Sequence, residues 1–218
     1  MKIAKVPIPM LTCFAVFVLP ALCLAGELKP VELPPPQTEG GKPLMQALKE
    51  RKSAREFDST PLAPQVLSNL LWAAAGVNRP DGRRTAPSAS NRQEIDIYVV
   101  TADGLYLYEP KEHRLAALSA DDLRAATATQ AFAREAAVNL VYVADFAKMG
   151  QGPAENKVLY SATDTGFISQ NVYLYCASEG LATVVRASVD RDALAAKIGL
   201  RPEQRIVLAQ SVGYAKKK

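Results

Sequence analysis

The sequence has few of the residues that most often carry catalysis through their side chains alone. Its 218 residues include one histidine and three cysteines. It also lacks a Gly-x-x-x-x-Gly-Lys phosphate loop, a Gly-x-Ser-x-Gly nucleophile elbow and a His-Glu-x-x-His zinc motif. Several common enzyme classes are thereby excluded, and no metal site is predicted. The lone histidine, His113, lies in a polar stretch where a solvated turn residue is expected, so we assign it no role.

Clustered positive charge is also missing. The formal net charge is +4, but Lys2 and Lys5 lie near the N-terminus, and three further lysines, 216–218, end the chain. A nucleic-acid surface needs basic residues gathered on one face. We therefore predict no nucleic-acid partner.

No apolar run has the roughly 20 residues that a membrane-spanning helix needs. Instead, Lys2 and Lys5 precede the shorter run Leu11–Ala25, and the small residue Ala25 is followed by Gly26. This arrangement predicts a signal peptide, residues 1–25, that is removed after Ala25. The protein is then expected to be exported, into a bacterial periplasm, with no stable membrane insertion after cleavage.

Two alternatives stay open for this segment: an uncleaved anchor with the domain facing outward, and lipidation at Cys23, to which the large Leu22 before it is poorly suited. Cleavage would remove Cys13 and Cys23 and leave Cys176 as the single cysteine, so no intrachain disulfide could form. Cys176 lies in an apolar stretch, which predicts a buried, inert thiol rather than a redox thiol.

Residues 26–43 are rich in proline and glycine and show no hydrophobic periodicity. This composition predicts an extended tether. One folded domain is then expected over residues 44–218.

Within that domain the hydrophobic pattern switches between helical and strand-like spacing. Helices are predicted at Leu44–Arg51, Pro64–Ala74, 120–135, Asn156–Glu179 and Arg191–Ile198. Strands are predicted at Ile95–Thr101, Leu105–Tyr108, Ala137–Ala144, Thr183–Val185 and Arg205–Gly213, with a long loop at 77–94. Interleaved strands and helices with one hairpin indicate the α+β class, a mixed sheet packed by helices.

Three separated segments carry the candidate chemistry: Arg51–Phe57, Pro87–Gln93 and Gly180–Val185. In the first, two guanidinium groups with a hydroxyl between them could clamp a phosphate, although a basic helix end paired with acids is the alternative. In the second, serine, asparagine and glutamine side chains offer the donors and acceptors that a flat polar heterocycle requires. A polar loop without a ligand is the alternative there.

In this order and spacing, the segments resemble the nitroreductase superfamily of flavin enzymes, and within it the SagB-type or thiazole-oxidase-like branch. Text similar to that branch occurs at Leu70–Arg79, Gly82–Ala89, Gly104–Tyr108 and Ser169–Leu174. The resemblance covers Leu44 to Lys218. It implies a nitroreductase-like FMN-binding fold with a mainly antiparallel sheet and an intertwined homodimer whose flavins lie at the subunit interface.

The resemblance also implies roles for particular residues. Arg51, Lys52 and Ser53 would hold the phosphate and ribityl chain of FMN, and Arg55 would reach the polar edge of the flavin ring. The loop residues Pro87, Ser88, Ala89, Asn91 and Gln93 would line the ring, and Lys216 and Lys217 would return to the phosphate. In the segment Val185, Arg186, Ala187 and Ser188, the backbone amide of Ala187 or Ser188 would lie beside the reactive flavin nitrogen, with no side chain acting as a catalyst.

Two positions depart from the family pattern. Arg186 could either stabilise a reduced, anionic flavin or point to solvent. Glu94-Ile95 stands where simpler relatives have Pro-Trp, which puts the substrate in doubt more than the flavin.

The implied function is an exported FMN-dependent oxidoreductase that acts on a small molecule by a ping-pong mechanism. Its substrate is open, and NAD(P)H as electron donor is uncertain because no dinucleotide fingerprint is present. The alternative is a flavin-binding or small-molecule-binding protein of the same fold without turnover.

Overall fold

The computed structural model describes Met1 and residues 28–217. The predicted signal peptide and its cleavage site therefore lie outside the described residues. Within the described part, none of the helices is long and apolar enough to cross a membrane.

The core of the fold is one antiparallel sheet of eight strands. They are β1 Val31–Glu32, β2 Phe57–Asp58, β3 Ile95–Val100, β4 Leu105–Glu109, β5 Arg114–Ser119, β6 Val138–Asp145, β7 Leu181–Arg186 and β8 Gln204–Ala215. The order is β1-β5-β4-β3-β6-β8-β2, with β7 also paired to β8. Four α-helices accompany the sheet: α1 Leu44–Glu50, α2 Pro64–Ala75, α3 Ala154–Glu179 and α4 Arg191–Lys197. The α+β class with a mainly antiparallel sheet is confirmed.

Strand β6 lies at the centre of the sheet, between β3 and β8. All eight of its residues are buried, as the continuous apolar run in the sequence predicts. The hydroxyl of its buried tyrosine is satisfied, because Tyr142 donates to Gln210 Oε1 on β8 at 2.7 Å.

Glycine is required in the β3–β4 hairpin. Gly104 has φ +151°, and a Cβ placed there would lie 2.3 Å from the carbonyl oxygen of Ser119. The Asp103-Gly104 turn that the sequence predicts is therefore fixed by a steric constraint as well as by backbone conformation.

The long helix α3 packs against α2 on one side and against the sheet on another. Asn171 Nδ2 donates to the carbonyl of Ala73, and the Tyr175 hydroxyl donates to that of Val66, each at 3.1 Å. The helix ends at Gly180, whose φ of +72° is the left-handed conformation typical of a glycine C-cap. The predicted helix over Asn156–Glu179 is correct to within two residues.

The predicted tether is extended, but it is not free of the domain. Val31 and Glu32 pair with β5, the Ser68 hydroxyl donates to the carbonyl of Pro34 at 2.5 Å, and the amide of Lys42 donates to Ser178 Oγ at 2.8 Å. We call residues 28–43 the N-terminal strap. The prediction missed this packing because a proline-rich composition indicates that a segment is not helical. It does not indicate whether the segment contacts the domain.

The alanine-rich segment 120–135 is not the predicted α-helix. It forms two 3-10 turns, Arg124–Thr127 and Ala131–Arg134. The Arg124 guanidinium bonds both Asp122 and the carbonyl of Ala136, which holds the chain in a compact loop. Tertiary contacts here override helix propensity.

Candidate functional site

The first predicted cluster, Arg51 to Arg55, surrounds a residue that the sequence reasoning did not single out. Tyr173 on α3 lies under the Arg51 guanidinium, 5.2 Å from ring centroid to Cζ, and its hydroxyl is hydrogen bonded to Ser53 Oγ at 2.8 Å. The same hydroxyl accepts the amide of Val185 at 3.0 Å. Tyr173 therefore ties the Arg-x-Ser segment to β7.

The C-terminus lies next to this segment, as predicted. Strand β2 pairs with β8, so that Phe57 lies opposite Ala215, and the amide of Lys216 donates to the carbonyl of Glu56 at 3.3 Å. Five cationic side chains are gathered at this place: Arg51, Lys52, Arg55, Lys216 and Lys217. Among the described residues none of the five forms a salt bridge, so their charge is available to an anionic ligand.

A cavity of about 400 Å³ lies beside the cluster. Lys52 and Ala54 line it together with Thr183, Ala215 and the end of α3. Arg51, Ser53 and Arg55 do not line it. The cavity alone therefore does not outline the predicted site, which includes the exposed surface next to it.

The third predicted segment, Gly180–Val185, coincides with strand β7. The amide of Ala54 donates to the carbonyl of Thr183 at 2.9 Å, which fixes the cationic cluster at one end of this strand. Ala187 and Ser188 follow the strand at its other end, and both are exposed. The Tyr173 hydroxyl, which bonds both Ser53 and the amide of Val185, brings the cationic cluster close to this end of the strand as well. The arrangement suits an anionic ligand that extends along the edge of β7.

Arg186 adopts neither of the two arrangements that the sequence left open. It is 6% exposed and bonds Thr127, Ser211 Oγ at 3.0 Å and Asn139 Oδ1 at 2.5 Å. Burial without a carboxylate lowers the pKa of its guanidinium to about 10. The side chain thus turns inward, where it joins β6, β7 and β8 to the first 3-10 turn.

The second predicted cluster is a tightly held, strained loop. Ser90, Asn91 and Gln93 have φ of +55°, +53° and +50°, which residues other than glycine seldom adopt. The loop is fixed by the amide of Gln93, which donates to Ser88 Oγ at 2.9 Å, and by the amide of Ala89, which donates to Asp164 Oδ2 at 2.9 Å. Strain maintained by such contacts is characteristic of functional sites.

A second cavity, about 430 Å³ in volume, opens at this loop. It is lined by Pro87, Ser88, Ser90, Asn91, Ala86 and three arginines, 79, 83 and 84. The Gln93 side chain points elsewhere, because its Nε2 donates to the carbonyl of Gly82 and to Asn91 Oδ1, each at 3.0 Å. Gln93 holds the loop rather than facing this cavity.

The two clusters do not meet within one chain. Tyr173 in the first and Asp164 in the second both belong to α3, nine residues apart. Nine residues correspond to two and a half turns and about 14 Å of rise, which places these side chains on opposite sides of the helix. The two clusters therefore do not share one face of α3.

Two buried acids lie beside the strained loop, and the sequence reasoning named only the first of them, Glu94. Glu94 is fully buried and Asp164 is 3% exposed. Burial, with the carboxyl of Asp164 next to it, raises the pKa of Glu94 to about 7. The substitution of Glu94 for the usual proline was visible in the sequence, but its partner on α3 was not.

The prediction of a solvated His113 was also wrong. Its Nε2 is hydrogen bonded to Ser68 Oγ at 2.7 Å and its Nδ1 to the Tyr108 hydroxyl at 3.0 Å, so it is a half-buried structural residue and not a solvated one. Burial lowers the pKa of this imidazole. Cys176 is buried, as predicted, and burial raises the pKa of its thiol. In the described part of the chain, no cluster of His, Cys, Asp and Glu is placed to hold a metal ion.

An apolar surface lies on α1 and α3. The exposed side chains are Leu44, Met45 and Leu48 on α1, and Val158, Leu159, Tyr160 and Phe167 on α3. Leu159 is 60% exposed and Phe167 is 45% exposed. Large apolar side chains that are exposed in this number are candidates for an interaction surface.

Comparison with known proteins identifies the family. The model of the nitroreductase family matches residues 48–214. A nitroreductase-like protein of Methanocaldococcus jannaschii is 32% identical over 151 residues, covering 65% of this chain and 76% of that protein. A crystal structure of a nitroreductase-like protein from Ralstonia eutropha JMP134 has 43% identity and a TM-score of 0.84, covering 88% of this chain and 91% of that one.

The NADPH:FMN oxidoreductase from Vibrio harveyi, solved in complex with NAD⁺, shares the fold at 19% identity. Its TM-score is 0.61, over 80% of this chain and 69% of that one. The family match spans both predicted clusters and the long helix between them. The chain therefore belongs to the nitroreductase family of oxidoreductases.

Proposed function

We propose that this protein is an exported, FMN-dependent oxidoreductase that works as a homodimer and acts on a small molecule. The observation that carries the proposal is the gathering of Arg51, Lys52, Arg55 and the C-terminal lysines, without carboxylate partners, at one end of β7. A phosphate is the ligand that such a set of donors binds best. The edge of β7 that leads from this cluster to Ala187 and Ser188 suits the rest of FMN.

Each chain residue has a distinct task in this proposal. Arg51 and Ser53, held by Tyr173, bind the phosphate and ribityl chain, and Lys216 neutralises charge beside them. The amide of Ala187 or Ser188 would donate to the reactive edge of the ring. When bound, FMN would supply two-electron chemistry for a ping-pong exchange between donor and acceptor.

The homodimer follows from the separation of the two clusters on α3. A two-fold dimer that buries the apolar surface of α1 and α3 would bring the strained loop of one subunit to the cationic cluster of its partner. Each of two flavins would then lie between subunits. Closed two-fold dimers are the commonest soluble assembly, and the arrangement satisfies both halves of the predicted site.

Export rests on the N-terminal sequence, and the periplasm is the proposed location. An exported enzyme would meet little NAD(P)H, so a different electron donor is expected. The SagB-type resemblance makes oxidation of a peptide azoline one candidate reaction, and reduction of a nitro or quinone compound is the other.

The cofactor is tested by expressing the chain from Gly26 and purifying it without added flavin. A yellow protein that releases FMN on denaturation supports the proposal, and a colourless protein that takes up no added FMN contradicts it. Arg51→Ala should weaken FMN binding by about 1.5–3 kcal/mol, the scale of charge-assisted hydrogen bonds. Arg134→Ala, at an exposed arginine far from both clusters in sequence, is the matched control and should bind normally.

Mixed dimers of Arg51→Ala and Asn91→Ala chains test whether each flavin site is formed by both subunits. If each site takes one cluster from each subunit, a mixed dimer contains one doubly altered site and one intact site. It should then bind FMN with normal affinity at half the sites. If both clusters of a site came from one chain, every site would carry one substitution and none would bind normally.

A further inference from the structure

Glu94 is buried in an unusual way for a carboxyl group. It lies at the end of the strained loop, directly before β3, and has no solvent exposure. Its backbone is fixed because the amide of Asp145 donates to its carbonyl at 2.9 Å. Yet neither of its two carboxyl oxygens receives a well-formed hydrogen bond from another described residue, and only its own backbone amide comes near the carboxyl group. A buried acceptor without a donor is rare in folded proteins because the cost of desolvation is not recovered.

The nearest ionisable neighbour of Glu94 is a second acid. The carboxyl of Asp164 lies within hydrogen-bonding reach of Glu94 and is also buried. Asp164 Oδ2 accepts the amide of Ala89, which is how α3 holds the loop. Two ionised carboxylates can only accept hydrogen bonds, so they cannot bond each other unless one carries a proton.

No neighbouring positive charge pairs with the two carboxylates in place of that proton. Arg84 contributes a positive field, but its guanidinium donates to the carbonyl of Ile95 at 3.4 Å, and its Nε has no partner among the described residues. Arg92 is half-buried and contributes only through its charge, without a hydrogen bond to either acid. On β6, the Asp145 carboxylate is already paired with Arg201 at 2.5 Å. Neither arginine forms a salt bridge with Glu94 or Asp164.

We propose that Glu94 and Asp164 share one proton in the folded protein, and that this proton positions the Pro87–Gln93 loop. The protonated carboxyl donates to its ionised partner, which leaves Asp164 Oδ2 free to keep the amide of Ala89. Loss of the proton places two negative charges side by side in a buried site. The Asp164 carboxylate then moves away, and the three positive-φ residues of the loop lose the contact that holds them.

The ordinary electrostatics of the site agree with this geometry. Burial and the neighbouring carboxyl raise the pKa of Glu94 to about 7. The shared proton is thus present in mildly acidic solution and is lost as the pH rises through neutrality. Glu94 and Asp164 are positioning residues in this scheme, because they act on the loop and not on a substrate.

The proton itself is detected by infrared difference spectroscopy on the purified protein between about pH 6 and about pH 8, where ordinary aspartates and glutamates are already ionised. A protonated carboxyl band should disappear over this interval in the wild type and be missing throughout in Glu94→Gln. A wild-type protein with no such band at the lower pH would overturn the proposal. This measurement needs no flavin, so its result is independent of the proposed cofactor.

The effect on the loop is measured by amide hydrogen exchange at Ala89 over the same interval, corrected for the intrinsic change in exchange rate. Protection should fall about tenfold or more in the wild type, while the core amide of Leu140 stays protected. In Glu94→Gln the side-chain amide donates to Asp164 without a proton, so protection of Ala89 should no longer depend on pH. Asp164→Asn can donate to Glu94 in the same way and should behave alike.

A matched control is Glu39→Gln, at an exposed glutamate in the N-terminal strap, which should retain the wild-type pH profile. Equal pH dependence in the wild type and in both buried variants would refute the positioning role, even if the infrared band were found. If one variant fails to fold, the infrared spectrum of the wild type and the other variant still test the proposal.

Discussion

Replacing Glu94 by glutamine is expected to remove a pH dependence from the stability of the whole protein. The native state keeps a proton on this carboxyl up to about pH 7, whereas in the unfolded chain the group has its ordinary pKa of 4.5. Between these two values the folded protein binds more protons than the unfolded chain. The free energy of unfolding therefore falls as the pH rises through this window, and the loss is complete above it.

The size of the effect follows from the two pKa values. Each pKa unit corresponds to 1.36 kcal/mol, so a rise from 4.5 to about 7 corresponds to about 3 kcal/mol. For a domain of this size, 1 kcal/mol changes the melting temperature by about 2–4 °C. Glu94→Gln should thus exceed the wild type by up to about 6–12 °C at pH 8 and match it at about pH 4, below the window.

The assay is chemical denaturation of wild type and Glu94→Gln at a series of pH values, followed by calorimetry at the two extremes. Other groups also titrate, so the quantity of interest is the difference between the two proteins at each pH. Glu39→Gln serves as the control and should follow the wild type. A difference between wild type and Glu94→Gln that does not change with pH would refute the reasoning.

Three further predictions concern other parts of the molecule. Tyr173→Phe removes the hydroxyl that bonds Ser53 and the amide of Val185, and should cost about 1–3 kcal/mol in the free energy of unfolding; Tyr160→Phe, at an exposed tyrosine, should cost nothing measurable. Cys176 should react with a thiol reagent at pH 8 only as fast as the protein unfolds, since burial raises the pKa of its thiol, and rapid reaction of the native protein would show that the site is open. Leu159→Lys should raise the dimer dissociation constant about tenfold or more in sedimentation experiments, and an unchanged constant would place the interface elsewhere.

Most of the regular elements could be predicted from the sequence because their patterns are strong. The apolar run of β6, the Asp103-Gly104 hairpin and the uninterrupted helix ending at Gly180 each express a local rule. Residues 120–135 misled the prediction because alanine content favours a helix in isolation, whereas Arg124 bonds Asp122 and the carbonyl of Ala136, and Thr127 is bonded by the distant Arg186. The N-terminal strap misled it because contacts with β5 and α2 leave no periodic trace.

The candidate site could be predicted only in part, because some of its residues act through contacts between distant segments. The resemblance identified the Arg-x-Ser segment and the polar loop, and the structure places the C-terminal lysines beside the first of them. The resemblance did not identify Tyr173, which joins that segment to β7, or Asp164, which holds the loop. Both lie on α3, and their importance depends on which side of the helix each occupies relative to segments far away in sequence. Arg186 turned inward because Thr127, Asn139 and Ser211 together form a polar pocket that no single segment reveals.

The N-terminal strap also protects one edge of the sheet. Strand β5 would otherwise end the sheet with open backbone groups, to which another chain could add a strand. Strand β1 covers part of that edge, and the prolines on either side of it, Pro30 and the run 34–36, have no amide hydrogen to offer to a further strand. The proline content that suggested a linker thus ends the hydrogen-bonded ladder. A chain that lacks residues 28–43 should be prone to edge-to-edge aggregation.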